Sequence, residues 1–283
     1  MLVNAKEMMK KAHDEHYAVP HFNINNLEWT RFILEECEAN HSPVILGVSE
    51  GAKKYMGGFH TVSQMVKALH DDLKITVPVA LHLDHGSSYD TCKEAIDSGF
   101  TSVMFDGSKL SLEENLAVTK KVVEYAKKYN VSVEAEIGHI GGEEDGVADE
   151  LAYATVEDAT RLGLETGIDF LAPALGSVHG IYKGEPKLDF ERMKKINEIT
   201  KLPLVLHGGS GIPDDMIKKA ISCGISKLNI NTELQQEWSK AVRIFLQENE
   251  SVYDPRKVIK SGEAAMKKAI KDKILLLGSN DKA

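Results

Sequence analysis

Val79-Ala80-Leu81-His82-Leu83-Asp84-His85-Gly86 is an apolar run that ends in a carboxylate, an imidazole and a glycine. With Val77 ahead of it and few charges nearby, it reads as a buried strand, with Asp84 and His85 where it meets solvent. His82, inside the run, reads as a hydrogen-bonded structural histidine. Barrels of alternating strands and helices carry their chemistry at the C-terminal ends of strands, so a polar pair placed there points to function.

Outward from this strand, the chain alternates. Helix patterns cover residues 6–15, 27–39, 61–73, 90–98, 112–129, 156–166, 190–200 and 213–223. The other strand patterns cover 17–22, 43–48, 102–105, 131–135, 170–172, 202–206 and 227–230. Eight such units imply a parallel sheet closed into a (β/α)8 TIM barrel, with an N-terminal helix and a C-terminal helical extension that ends at 263–276. A chain of 283 residues suits one such domain over 1–283. Two stretches are too long to be plain connectors and so are expected to be functional: the Gly-rich, acidic 138–150 and 177–186.

Composition narrows the function. A net charge of −9 argues against nucleic acid or an anionic membrane as partner, so the charge of an anionic substrate must be met locally. No apolar run reaches the roughly 18 residues of a membrane span, and no targeting segment is expected at the N-terminus. Cys37, Cys92 and Cys223, odd in number and widely spaced, read as buried thiols of a cytoplasmic protein.

The expected strand ends carry Asn23, Ser49, Asp84 with His85, Asp106, Glu136, His179 in the loop after strand six, His207, and Asn229 with Asn231 and Thr232. Three imidazoles with nearby carboxylates suit zinc or a similar divalent ion, and three protein ligands leave a catalytic metal an open position. Leu206-His207-Gly208-Gly209-Ser210-Gly211 adds a glycine-rich turn before Pro213, a place for backbone N–H groups to meet phosphate. The same glycines would also serve a plain tight turn.

These motifs, together with Glu134-Ala135-Glu136-Ile137-Gly138, Gly141-Gly142-Glu143-Glu144-Asp145, Gly176-Ser177-Val178-His179-Gly180, Asn229-Ile230-Asn231-Thr232-Glu233 and Tyr253-Asp254-Pro255-Arg256, resemble in order and spacing the class II, metal-dependent fructose-bisphosphate aldolases. The resemblance implies reversible aldol cleavage of a phosphorylated ketose. It implies that His85, His179 and His207 hold a catalytic zinc, with Glu136 and Asp106 as alternative or second-site ligands. A second divalent ion and a monovalent cation, sodium or potassium, are further expectations of the same kind.

By the same resemblance, Asp84 is the acid/base at the C4 oxygen. Glu144, with Glu143 beside it on the acidic stretch, exchanges the proton at the carbon that becomes C3. The dihydroxyacetone phosphate moiety falls to Gly180, Gly208, Gly209, Ser210, Asn229, Ile230, Asn231 and Thr232, with Asn23, Ser49 and Lys183 as further candidates. Arg256 resembles a family residue that meets the second phosphate in a partner subunit's site, which implies a homodimer or higher homo-oligomer. The chain departs from the family pattern at Lys109, where relatives often carry His, and at His139, where many carry Thr.

Other readings stand beside this one. Tagatose-1,6-bisphosphate and 6-phospho-5-dehydro-2-deoxygluconate aldolases share these motifs. A Schiff-base aldolase would need a strand lysine, for which Lys227 is the candidate, and it would leave the histidines idle. A zinc hydrolase on this fold, or a non-catalytic sugar-phosphate sensor or surface adhesin, completes the set.

Overall fold

The computed structural model describes residues 2–144, 147–149, 151–180, 182 and 184–283. In order these form α1 (Lys6–Glu15), β1 (Val19–Asn23), α2 (Leu27–Ala39), β2 (Val44–Val48), α3 (Glu50–Met56), α4 (Phe59–Asp72), β3 (Val79–Gly86), α5 (Tyr89–Asp97), β4 (Ser102–Phe105), α6 (Leu112–Lys127) and β5 (Ser132–Ile137). Then follow β6 (Gly141–Glu144), β7 (Val147–Asp149), α7 (Val156–Thr166), β8 (Phe170–Pro173), β9 (Val178–His179), α8 (Phe190–Thr200), β10 (Leu204–Leu206), α9 (Asp214–Ser222), β11 (Ile225–Ile230), α10 (Thr232–Glu248), α11 (Pro255–Lys260) and α12 (Glu263–Leu277).

Among the described residues, β1, β2, β3, β4, β5, β8, β10 and β11 pair in parallel in that order, and β11 returns to β1 to close the barrel. Local chemistry starts the helices where the sequence changes period. Asn26, Ser49, Ser88 and Thr155 each accept a backbone N–H as N-caps, and Ser111 with Glu114 forms a capping box on α6.

Because successive strand residues point to opposite faces, each strand sends alternate side chains inward. The lower interior is apolar: Val19, Ile45, Ala80, Phe170 and Val205 pack with Ala5, Met8, Met9 and Ala12 on and beside α1, which plugs the floor. Above them the inward positions turn polar, with His21, His82, Glu134 and Lys227 buried. One step higher stand Asn23, Asp84, Glu136, His207 and Asn229. The outward side chains form the larger core against the surrounding helices.

Local details add to or correct the sequence pattern. The stretch after β2 holds an additional helix, α3, nucleated by the Ser49 cap, and a 17-residue α10 follows β11. The acidic stretch, expected to be more than a connector, carries strands: β6 and β7 pair antiparallel, and β6 also pairs with β9. Ahead of the final helix a further short helix, α11, starts with Pro255 in its first turn. Cys37 and Cys92 are buried free thiols, as expected, but Cys223 is partly exposed. Among the described residues, no helix is long and apolar enough to cross a membrane.

Candidate active site

Asp84 lies near the end of β3 and is 1% exposed, so it does not meet solvent as the strand pattern suggests. Its two oxygens are taken by two amides: Asn23 Nδ2 donates to Oδ2 at 2.8 Å and Asn229 Nδ2 to Oδ1 at 3.2 Å. Burial opposes ionisation, but the surrounding His21, His85 and His207 imidazoles and the Lys227 ammonium outweigh it, holding the carboxyl well below its ordinary range. The next residue, His85, has φ +50°, a left-handed conformation that costs a non-glycine residue about 1–3 kcal/mol and persists where the surroundings over-determine it. This bend turns consecutive side chains toward the same site.

His85, His179 and His207 offer ligand atoms that all lie within 4.8 Å of one another. The outer nitrogens of His85 and His207 are oriented by carboxylates. His85 Nδ1 is 3.0 Å from Asp106 Oδ2 and 3.6 Å from Glu136 Oε2, and His207 Nε2 is 2.9 Å from Glu134 Oε1. An ionised carboxylate only accepts, so these nitrogens carry the protons and the inner ones carry lone pairs. The inner atoms, His85 Nε2 and His207 Nδ1, face each other at 2.9 Å. Two lone pairs at that distance repel, and a cation shared between them removes the conflict, so the donor set fits a zinc ion.

Burial is the main cause that drops the His179 and His207 imidazoles well below the ordinary histidine value, so both are neutral and ready to ligate. Asp106 is held below the usual carboxylate range despite burial, chiefly by its bond to His85 and by Ser108. With Glu136 it forms a second candidate metal group around His85.

A cavity of about 290 Å³ opens beside the imidazoles, lined by Asn23, Asp84, His179, Gly180, Gly208, Ser210, Asn229, Asn231, Thr232 and Gln235. Asn231, Thr232 and Gln235 belong to the N-terminal end of α10, which has no side-chain cap, so the positive end of a 17-residue helix faces the cavity. Gly208 has φ +64°, and a Cβ there would stand 2.1 Å from Val178 O, so the loop passes too close to β9 for any side chain. Tyr182 ties the two together: Val178 N–H donates to its Oη, which donates to Gly208 O at 2.9 Å.

Not every expected residue lines this cavity. Ser49 is spent on capping α3, Ile230 is buried in the outer core, and Gly209 N–H donates to Asn229 O at 2.9 Å inside the loop. Arg256 is 88% exposed and forks onto Asp254. Lys183 lies outside the described residues. Glu144 stands on β6, whose Gly142 pairs with His179, so the acidic hairpin is joined to the segment that carries one of the three histidines.

The sequence reading overlooked His21, Glu134 and Gln235, and weighed Lys227 only as a Schiff-base lysine. Parity was the available signal: His21, Glu134 and Lys227 each stand two residues before a residue of the site, hence on the same inward face. For Tyr182 no local signal exists.

Fold and site thus define a (β/α)8 barrel whose C-terminal rim joins an imidazole cluster suited to a metal with a cavity suited to an anion. Residues 3–282 match the family model described as fructose-bisphosphate aldolase class-II. Among characterised relatives, the fructose-bisphosphate aldolase of Geobacillus stearothermophilus is 58% identical over 283 residues, covering 100% of this chain and 99% of that protein. That of Staphylococcus aureus is 56% identical with the same coverage. The crystal structure of the YdjI aldolase from Escherichia coli K12 superposes with a TM-score of 0.86 at 36% identity, covering 100% of both chains. The chain belongs to the class II fructose-bisphosphate aldolase family, a family of zinc-dependent lyases.

Proposed function

We propose that this chain catalyses the reversible cleavage of fructose 1,6-bisphosphate to dihydroxyacetone phosphate and glyceraldehyde 3-phosphate. The observation that carries the proposal is the convergence of three imidazoles near a buried, amide-gripped carboxylate and an anion-suited cavity.

His85, His179 and His207 would hold the zinc, with Glu136 and Asp106 available to a second divalent ion, and a monovalent cation belongs to the same reading. When bound, zinc supplies a Lewis acid that stabilises the negative charge developing on the ketose oxygens. Asp84 takes the C4 hydroxyl proton in cleavage and returns it in condensation. Asn23 and Asn229 aim it, since each holds one of its oxygens. Glu144 exchanges the proton at the carbon that becomes C3. Supporting this role is the pairing of its hairpin with the His179 segment.

The near phosphate is met by Gly180, Gly208, Ser210, Asn231 and Thr232 under the α10 dipole, with Gly209 and Ile230 shaping the loops and Lys183 as a further donor. Ser49 supports the rim through its cap. The exposed Arg256 reaches the far phosphate in a partner's site, so the working enzyme is a homodimer or higher homo-oligomer, here one barrel domain over 1–283 in the cytoplasm. Lys227 is not a Schiff-base lysine: it is 0% exposed, paired with Glu134 and absent from the cavity lining.

The test is to strip metal with EDTA, restore zinc, and measure initial rates with fructose 1,6-bisphosphate, tagatose 1,6-bisphosphate and 6-phospho-5-dehydro-2-deoxygluconate in parallel. Fastest turnover of the first, lost on chelation and regained with zinc, is expected. Preference for another ketose reassigns the substrate, and full activity in metal-free protein refutes the mechanism. Absence of turnover on all three would leave a sugar-phosphate sensor or adhesin.

A further inference from the structure

Directly beneath the imidazole cluster, an ion pair is sealed inside the barrel. Lys227 Nζ of β11 donates to Glu134 Oε2 of β5 at 2.8 Å, and both side chains are 0% exposed. The other oxygen, Glu134 Oε1, is 2.9 Å from His207 Nε2. His82 Nε2 approaches Oε2 at 3.5 Å, while its Nδ1 is engaged with Ser102.

A buried pair of this kind often adds nothing to stability over well-packed apolar residues of similar volume, so the fold alone gives no reason for it. Its geometry gives one. Glu134 Oε1, which only accepts, holds the Nε2 proton of His207 and so leaves the lone pair on Nδ1. Ring angle and tautomer are therefore set from behind, and the carboxylate that sets them is anchored by Lys227.

We propose that Lys227, acting through Glu134, is a positioning residue that presents His207 Nδ1 for zinc and thereby sets metal affinity. The proposal rests on the reading of His207 as a zinc ligand.

The experiment uses the full chain stripped of metal. Zinc affinity is read by competition with a chromogenic chelator at fixed pH, and the melting temperature of the metal-free protein is read separately. The variants are Lys227→Met, Lys227→Arg, Glu134→Gln and the double Lys227→Met/Glu134→Gln, in which no charge is left buried alone. Loss of an outer partner of a metal ligand typically costs about 10- to 100-fold in affinity, which is the drop expected for Lys227→Met and for Glu134→Gln. Lys227→Arg should recover most of it.

The double variant should bind zinc no worse than Glu134→Gln alone, because the lysine acts only through the glutamate, while its metal-free melting temperature returns toward that of the parent. The double variant also keeps the test open if Lys227→Met fails to fold. Parental zinc affinity in a folded double variant, or losses that add independently, would overturn the proposal. A parent chain that takes up no zinc would remove the ligand reading itself, and this proposal with it.

Discussion

Replacing Asp84 by asparagine preserves the shape of the side chain and removes its ability to take a proton. The grip on it also changes. Asn23 and Asn229 both donate to it, at 2.8 and 3.2 Å, so an amide nitrogen at either oxygen position meets another donor. One charge-assisted hydrogen bond, about 1.5–3 kcal/mol, is lost, and relief of a buried charge offsets part of that. The chemical loss is larger. A positioned general base contributes roughly 10²–10⁴-fold, about 3–5.5 kcal/mol on the barrier to carbon–carbon cleavage. Cleavage of fructose 1,6-bisphosphate, followed by coupled oxidation of the triose product, should fall by that factor. Hydrogen exchange on dihydroxyacetone phosphate, followed by NMR in deuterated water, should continue, because that proton leaves from carbon and is assigned to Glu144. Equal loss of both reactions in a folded variant, or intact cleavage, refutes the assignment of Asp84.

The complementary variant, Glu144→Ala, should chiefly slow proton exchange on dihydroxyacetone phosphate, and an unchanged exchange rate would remove Glu144 from the reaction. Arg256→Ala should raise KM for the bisphosphate strongly while sparing exchange on dihydroxyacetone phosphate, which lacks the far phosphate; equal losses would assign it a structural role. Glu38 tests linkage away from the site. Burial pushes its pKa up, but the Thr76 hydroxyl and the Thr76 and Val77 N–H groups outweigh that and leave it lowered. A depressed folded pKa stabilises above the unfolded value, about 4.3, and that stability fades as pH falls through the folded one. Urea midpoints should therefore drop more steeply with acid in the parent than in Glu38→Gln, and parallel pH profiles would contradict this.

By itself the sequence determined the strand–helix alternation, since period and capping residues are local. It also determined which chemical groups stand at the strand ends, and motif order carried the family. Closure of the barrel decided the rest, because inward direction and register join residues far apart in the chain. Glu134 meets His207 across 73 positions and Lys227 across 93. No window around any of the three contains that contact. The strands of the acidic stretch were not legible because Gly142 takes its place only by pairing with His179, and the cap that Ser49 makes shows only with the helix it starts. Asp84 read as solvent-facing for a similar reason: the amides that grip it, Asn23 and Asn229, come from the first and last strands, which do not flank β3 and reach Asp84 only across the interior of the barrel.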